Sequence, residues 1–100
     1  MLEDLRTWFE THKISLDRQG YVVEYDESPG DRSKRSASVT ISSAGRIGRL
    51  LIWDTGEAEL SMGDASSGDV AEDHREITSE IGLRDATETL LTWLSSSGNR

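Results

Sequence analysis

The sequence predicts an α+β domain: a four- to five-stranded antiparallel meander sheet, flanked by an N-terminal and a C-terminal helix packed on one face. Three observations carry this expectation. Apolar residues recur at helical spacing at both ends of the chain, they alternate with polar ones in the middle, and only short turns join the alternating runs. Strands joined that tightly run antiparallel, and two amphipathic helices then have one sheet face to cover.

Each element has its own signal. Leu2, Leu5, Trp8, Phe9 and His12 fall on one helical stripe, which predicts a helix over Leu2 to Lys13. Gly20 opens "YVVEYD", where Tyr21, Val23 and Tyr25 alternate with Val22, Glu24 and Asp26 as in a strand. "ESPGDRSKRS", residues 27–36, holds the only proline beside a glycine among many charges and reads as a mobile loop. Ala37, Val39 and Ile41 alternate with hydroxyl residues in a second strand. "SSAG" turns the chain into Arg46 to Asp54, where both alternating sets are partly apolar: Ile47, Leu51 and Trp53 against Leu50 and Ile52. That pattern suits a central strand. Ala58, Leu60 and Met62 alternate with Glu57, Glu59 and Ser61 in a fourth strand, and Asp69 to Ile77 reads as a weak fifth strand at an edge. Leu83, Ala86, Thr87, Leu90, Leu91 and Leu94 make the stripe of the last helix, followed by a frayed tail over 95–100. Leu5, Trp8, Leu90, Leu91 and Leu94 are the expected helical part of the core.

Residues 1–100 are thus expected to be one domain. A chain of 100 residues buries roughly 65% of its unfolded surface, which supports one sheet and its helices and not two lobes around a deep cleft. The longest apolar run, Leu50 to Trp53, is far short of the ~20 residues of a membrane span. The N-terminus "MLEDLRTWFE" is acidic and amphipathic, unlike a secretory or transit peptide. Cysteine is absent, which removes disulfides, thiolate nucleophiles and thiolate metal sites together. The expectation is a soluble cytoplasmic protein with no membrane association.

Charge is distributed unevenly. The net charge is −8. Arg32, Lys34, Arg35, Arg46 and Arg49 are the only charges between Arg32 and Trp53, whereas Asp54 to Glu80 is acidic apart from Arg75 and His74. One reading is a solvated surface whose two halves pair across neighbouring strands. The other is a field that steers a basic partner. Direct binding of nucleic acid is disfavoured by repulsion from phosphate, and the basic stretch lacks interleaved aromatics for base stacking.

No constellation points to catalysis. His12 and His74 lie on different elements, and His12 continues the stripe of the first helix. His74 shares a strand face with Glu72 and Glu76 but not with Asp73, a thin donor set for a metal. The serines lack a histidine–acid partner. "GRIGRL" precedes a strand instead of a helix, so it is no phosphate cradle. The triplet Asp54-Thr55-Gly56 matches the catalytic loop of aspartic proteases, which leaves an acid-protease-like subunit as a remote alternative. That enzyme needs a second carboxylate sharing a proton, a glycine-rich flap, and an apolar strand ending in glycine behind the loop. The chain after Asp54 starts with an acidic strand and offers no such strand. A tight turn between two strands accounts for the triplet. The sequence therefore predicts no enzyme, no metal and no cofactor.

The stretch "GRIGRLLIWDTGEAELSMGDASSGDV" is similar to the signature region of the TriTu family of immunity proteins: a strand ending in Trp, then an acidic residue, Ser or Thr, and Gly, followed by a strand with an acidic-Leu step and an acidic loop. Trp53, Asp54, Thr55, Gly56, Glu59 and Leu60 stand at those positions. The order of helices and strands is also similar. The basic, serine-rich Arg32 to Ser43 region has no counterpart in the match. The resemblance implies a cytoplasmic antidote of a bacterial polymorphic toxin system that binds its cognate toxin stoichiometrically, as a monomer or weak homodimer. The alternative class is a structural or adaptor domain for another host protein, or one that self-associates.

For a binding module, Trp53 is the candidate anchor, with plain core packing as its other reading, since binding energy concentrates in a few aromatic or arginine residues. Asp54, Glu57, Glu59, Asp64, Asp69, Glu72 and Asp73 are the candidate charged part. Glu57, Glu59 and Ser61 share the strand side opposite Ala58 and Leu60 and are expected to face solvent together.

Overall fold

The computed structural model describes residues 2–28 and 35–95. Helix α1 (Leu2–Arg18) is followed by strands β1 (Val22–Glu27), β2 (Ser36–Ser43), β3 (Arg46–Trp53), β4 (Glu57–Asp64) and β5 (Val70–Glu76), and helix α2 (Glu80–Ser95) closes the order. The five strands form one sheet in the sequential order β1-β2-β3-β4-β5, every pair antiparallel. The expected α+β meander with two helices is what the chain forms, and Val70–Glu76 is its fifth strand.

The first helix is longer than the apolar stripe suggests. It ends at Arg18, not Lys13, because Gly20 caps it. With Gly20 at φ 96°, its N–H donates to the Asp17 carbonyl at 3.1 Å and the Tyr21 N–H donates to the Leu16 carbonyl at 3.0 Å. This pair of bonds is the Schellman cap, which satisfies carbonyls the helix leaves open. Leu16, 5% exposed, extends the buried stripe by a further turn, and β1 accordingly starts at Val22. The expected mobile loop over 27–36 is strand at both ends, since Glu27 closes β1 and Ser36 opens β2; residues 29–34 lie outside the described ones. Ser95 ends α2, and the rest of the expected frayed tail, 96–100, also lies outside them.

Both helices cover the same sheet face. Phe9 of α1 stacks on Tyr25 of β1 with ring centroids 5.4 Å apart. Tyr25 pairs with Val39, Val39 pairs with Leu50, and Leu50 is two residues from Gly48, over which Leu90 of α2 sits. Residues two apart on a strand share a face, so these contacts lie on one side. The core forms there from Val23, Val39, Ile41, Leu50, Ile52 and Leu60, closed by Leu5, Leu16, Leu83, Ala86, Leu90 and Leu94. Of the expected helical core, Leu5, Leu90 and Leu94 are buried, while Trp8 and Leu91 are half-buried at its margin.

The turns follow from their residues. Ala44 (φ 50°) and Gly45 (φ 84°) connect β2 to β3 across the pair Ser43 and Arg46, a two-residue turn with both centres left-handed, whose twist suits a hairpin. In the β3–β4 turn the Gly56 N–H donates to the Trp53 carbonyl at 3.0 Å and Gly56 has φ 97°. The Asp-Thr-Gly triplet is a hairpin turn.

Candidate functional site

Sheet parity divides the candidate residues into two groups. Residues in phase with Leu50, Leu60 and Val39 point to the helices; the others point to the face no described element covers. Trp53, Glu57, Glu59 and Glu72 belong to this uncovered face. Trp53 is half-buried and lies beside Ser36 of β2, not beneath a helix. Glu59 stands opposite His74 of β5, its Oε2 3.2 Å from the His74 Nε2, so the pair becomes an ion pair whenever the imidazole is protonated.

Asp64 and Asp73 point to the helix side instead, and both carboxylates are occupied there. Asp64 Oδ2 accepts a bond from Arg46 Nε at 2.9 Å, while its Oδ1 accepts from the Ser66 hydroxyl at 2.7 Å and the Ser66 N–H at 2.9 Å. Arg46 in turn donates to the Trp93 carbonyl and places its guanidinium carbon 4.3 Å from the Trp93 ring centroid. Asp64 thus ties the β4–β5 loop, the β3 strand and the end of α2 together. The Ser66 hydroxyl first, then Arg46, hold its carboxyl well below the ordinary range, at about 2. Asp73 pairs with Arg75 at 2.9 Å, and Arg75 also reaches the Thr89 hydroxyl at 3.4 Å.

The remaining two candidates lie in loops. Asp54 is exposed in the β3–β4 turn, where its Oδ2 accepts from the Arg35 N–H at 3.2 Å and its own N–H donates to the Arg35 carbonyl at 2.9 Å. Asp69 ends the β4–β5 loop, its carbonyl accepting from the Asp64 N–H at 2.9 Å. Neither sits on the flat of the uncovered face.

Parity also places residues on that face which the acidic run alone does not single out. Glu24 and Asp26 of β1 point the same way, and so does Arg49 at the middle of β3. The signal was in the sequence, since Glu24 and Asp26 alternate with Val23 and Tyr25. Which strands lie beside them was not. The register sets Glu24, Thr40, Arg49, Ser61 and Glu72 in one row across all five strands.

Two of the surface concavities involve residues named above. One, of about 830 Å³, is lined by Glu24, Asp26, Thr40, Ile47 and Arg49 of the uncovered face and also by Phe9 and Lys13 of α1. The second, of about 560 Å³, runs between the helices, lined by Trp8, His12, Leu83 and Leu91 with charges of both signs around it. In that groove His12 stacks on Trp8 at 4.6 Å and its Nδ1 lies 2.9 Å from the Trp8 carbonyl, a structural role for the imidazole. Among the described residues no three His, Asp or Glu are grouped as metal ligands, and no helix is long and apolar enough to cross a membrane.

The fold is α+β, with one sheet face built into the core and the other carrying charged side chains of β1, β3, β4 and β5. The comparison with known families is specific: residues 3–95 match the family model described as Immunity protein TriTu, and the chain belongs to that family. A search of the curated proteins returned no match.

Proposed function

We propose that this protein is the cytoplasmic antidote of a bacterial polymorphic toxin, neutralising one cognate toxin domain by stoichiometric binding without catalysis. The observation that carries the reading is family membership over residues 3–95. The charge pattern supports it physically. Glu57, Glu59 and Glu72 point to the uncovered face from adjacent strands, on a chain of net charge −8. Such a face attracts a basic toxin domain at long range and raises the encounter rate, which favours a protein that must reach its target before damage is done.

The experiment is co-expression. The toxin domain encoded beside this gene is induced in cells with and without this protein, and the two products are purified through a tag on one of them. The proposal expects growth to be restored and the products to elute together at a fixed ratio. Rescue without a complex, or a complex without rescue, contradicts neutralisation by binding.

A further inference from the structure

An antiparallel sheet with one face in water should carry polar residues there. This one carries Ile47, half exposed at 50%, together with Leu51 and Trp53, all on the central strand. The strand beside it offers hydroxyls, Ser36, Ser38, Thr40 and Ser42, while the acids stand further out: Glu24 and Asp26 on β1, Glu59 on β4, Glu72 and Glu76 on β5. Arg49 occupies the middle. It is exposed, its direct cross-strand neighbours Thr40 and Ser61 are uncharged, and it makes no ion pair with a described residue. Ser38, only 5% exposed, borders the same concavity.

We infer that this whole uncovered face, centred on Arg49 with Ile47 and Leu51 around it and rimmed by the acids of β1, β4 and β5, is the toxin-binding surface, and that it fits a partner of inverse pattern. The inference rests on the antidote reading and adds the partner's chemistry. That partner presents an apolar protrusion carrying a carboxylate or carbonyl for the guanidinium, inside a ring of lysine and arginine. A guanidinium enclosed in an interface needs acceptors for its N–H fork, which is why an acceptor must face Arg49. The outer strands lie four strand spacings apart, ~19 Å, so the acid rims match a protein surface and not a small ligand. A second copy of this chain is a poor occupant, because face-to-face contact sets the rim acids of one copy against those of the other, with Arg49 and His74 from each as the basic groups among the described residues of that face. The interhelical groove has mixed charge and lacks this centre-and-rim arrangement.

The test is calorimetric titration of the purified toxin domain from the adjacent gene into wild type and three variants, with thermal unfolding of each variant as the control for folding. Arg49→Glu and Ile47→Asn remove the charged and apolar parts of the centre at exposed positions. Arg84→Glu alters the interhelical groove on the opposite side. The inference expects Kd to rise roughly 30-fold or more for each of the first two, the size of a hot-spot loss, and to stay within about threefold for the third. If wild type binds and the Arg49 and Ile47 variants bind equally well, or if Arg84→Glu alone abolishes binding, the inference is overturned while the antidote reading stands. If wild type does not bind, the antidote reading fails and the inference with it. Dimerisation of wild type through this face, seen by sedimentation and lost in Ile47→Asn, also overturns it.

Discussion

Gly48 at the middle of β3 forms the seat of Leu90. A Cβ built on Gly48 would lie 2.6 Å from Leu90 Cδ1 and 3.1 Å from its Cγ, closer than atoms can approach, so α2 rests directly on the strand backbone. The glycine needs no unusual φ here; it supplies close approach. Leu90 is 1% exposed and has little room to move away. Gly48→Ala should therefore destabilise by ~1–3 kcal/mol through overpacking, and Leu90→Ala by ~2–5 kcal/mol through a cavity. Because the two residues share one space, the double variant should lose less than the sum. Urea unfolding of all three proteins checks this, and an additive result would place Leu90 elsewhere.

Gly56 combines a positive φ with crowding. A Cβ there would meet the Thr78 Cγ2 at 3.3 Å and the Ile77 carbonyl oxygen at 3.4 Å, and the Gly56 carbonyl accepts the Ile77 N–H at 2.7 Å. Gly56→Ala should lower stability by more than ~1 kcal/mol. Asp54→Asn, two residues away, should change it by less than ~0.5 kcal/mol, since an exposed amide oxygen can accept the Arg35 N–H as the carboxylate does. Denaturant midpoints of the two variants check this, and a Gly56→Ala variant as stable as the wild type would contradict the left-handed, crowded turn.

Ala44 marks a place where the natural sequence is not optimal. It holds φ 50° without being glycine, a conformation that is unfavourable for most side chains and tolerated by asparagine. Ala44→Asn creates the Asn-Gly pair preferred in this turn. Stability should rise by up to ~1 kcal/mol in thermal or urea unfolding, and a clear loss would contradict the turn assignment.

Asp64 gives the fold a pH dependence. Its carboxyl lies at about 2 in the folded protein against 3.8 ordinarily, through bonds from Ser66 and Arg46. A folded-state value below the unfolded one means that the carboxylate stabilises the fold above about 3.8, and that this contribution is lost as pH falls toward 2. Between those limits the wild type should lose more stability than Asp64→Asn does, measured as the urea midpoint at each pH. Parallel curves would show that Asp64 is not held in this way.

What the sequence revealed depended on contrast between alternate residues. In β2 and β4 one set is apolar and the other polar, so both the strand and its inward face were legible. In β3 both sets are apolar, and alternation could not decide whether Trp53 lay under a helix. Gly48 decides it, because the side on which a helix sits closely is the side that lacks a Cβ, and Trp53 is out of phase with it. A mid-strand glycine was the available clue. The end of α1 was obscured because Ile14, 65% exposed, leaves the stripe just before Leu16 rejoins it. The acidic run, taken as a whole, mixed two faces: Glu57, Glu59 and Glu72 alternate away from Leu60, whereas Asp64 is in phase with Leu60 and bonded to Arg46. Bringing Glu24 and Asp26 onto the same face as Glu72 depends on strand order and register, which no local pattern contains.

The claim that this face receives a basic toxin domain is tested most directly by association kinetics. Glu57→Lys/Glu59→Lys reverses two charges pointing to the uncovered face and leaves the Ala58 and Leu60 core positions untouched. Stopped-flow mixing with the toxin domain should show association slowed roughly tenfold or more at low salt. The difference from wild type should shrink at high salt as screening shortens the field. An association rate equal to wild type at low salt, in a variant that folds normally, would contradict the account.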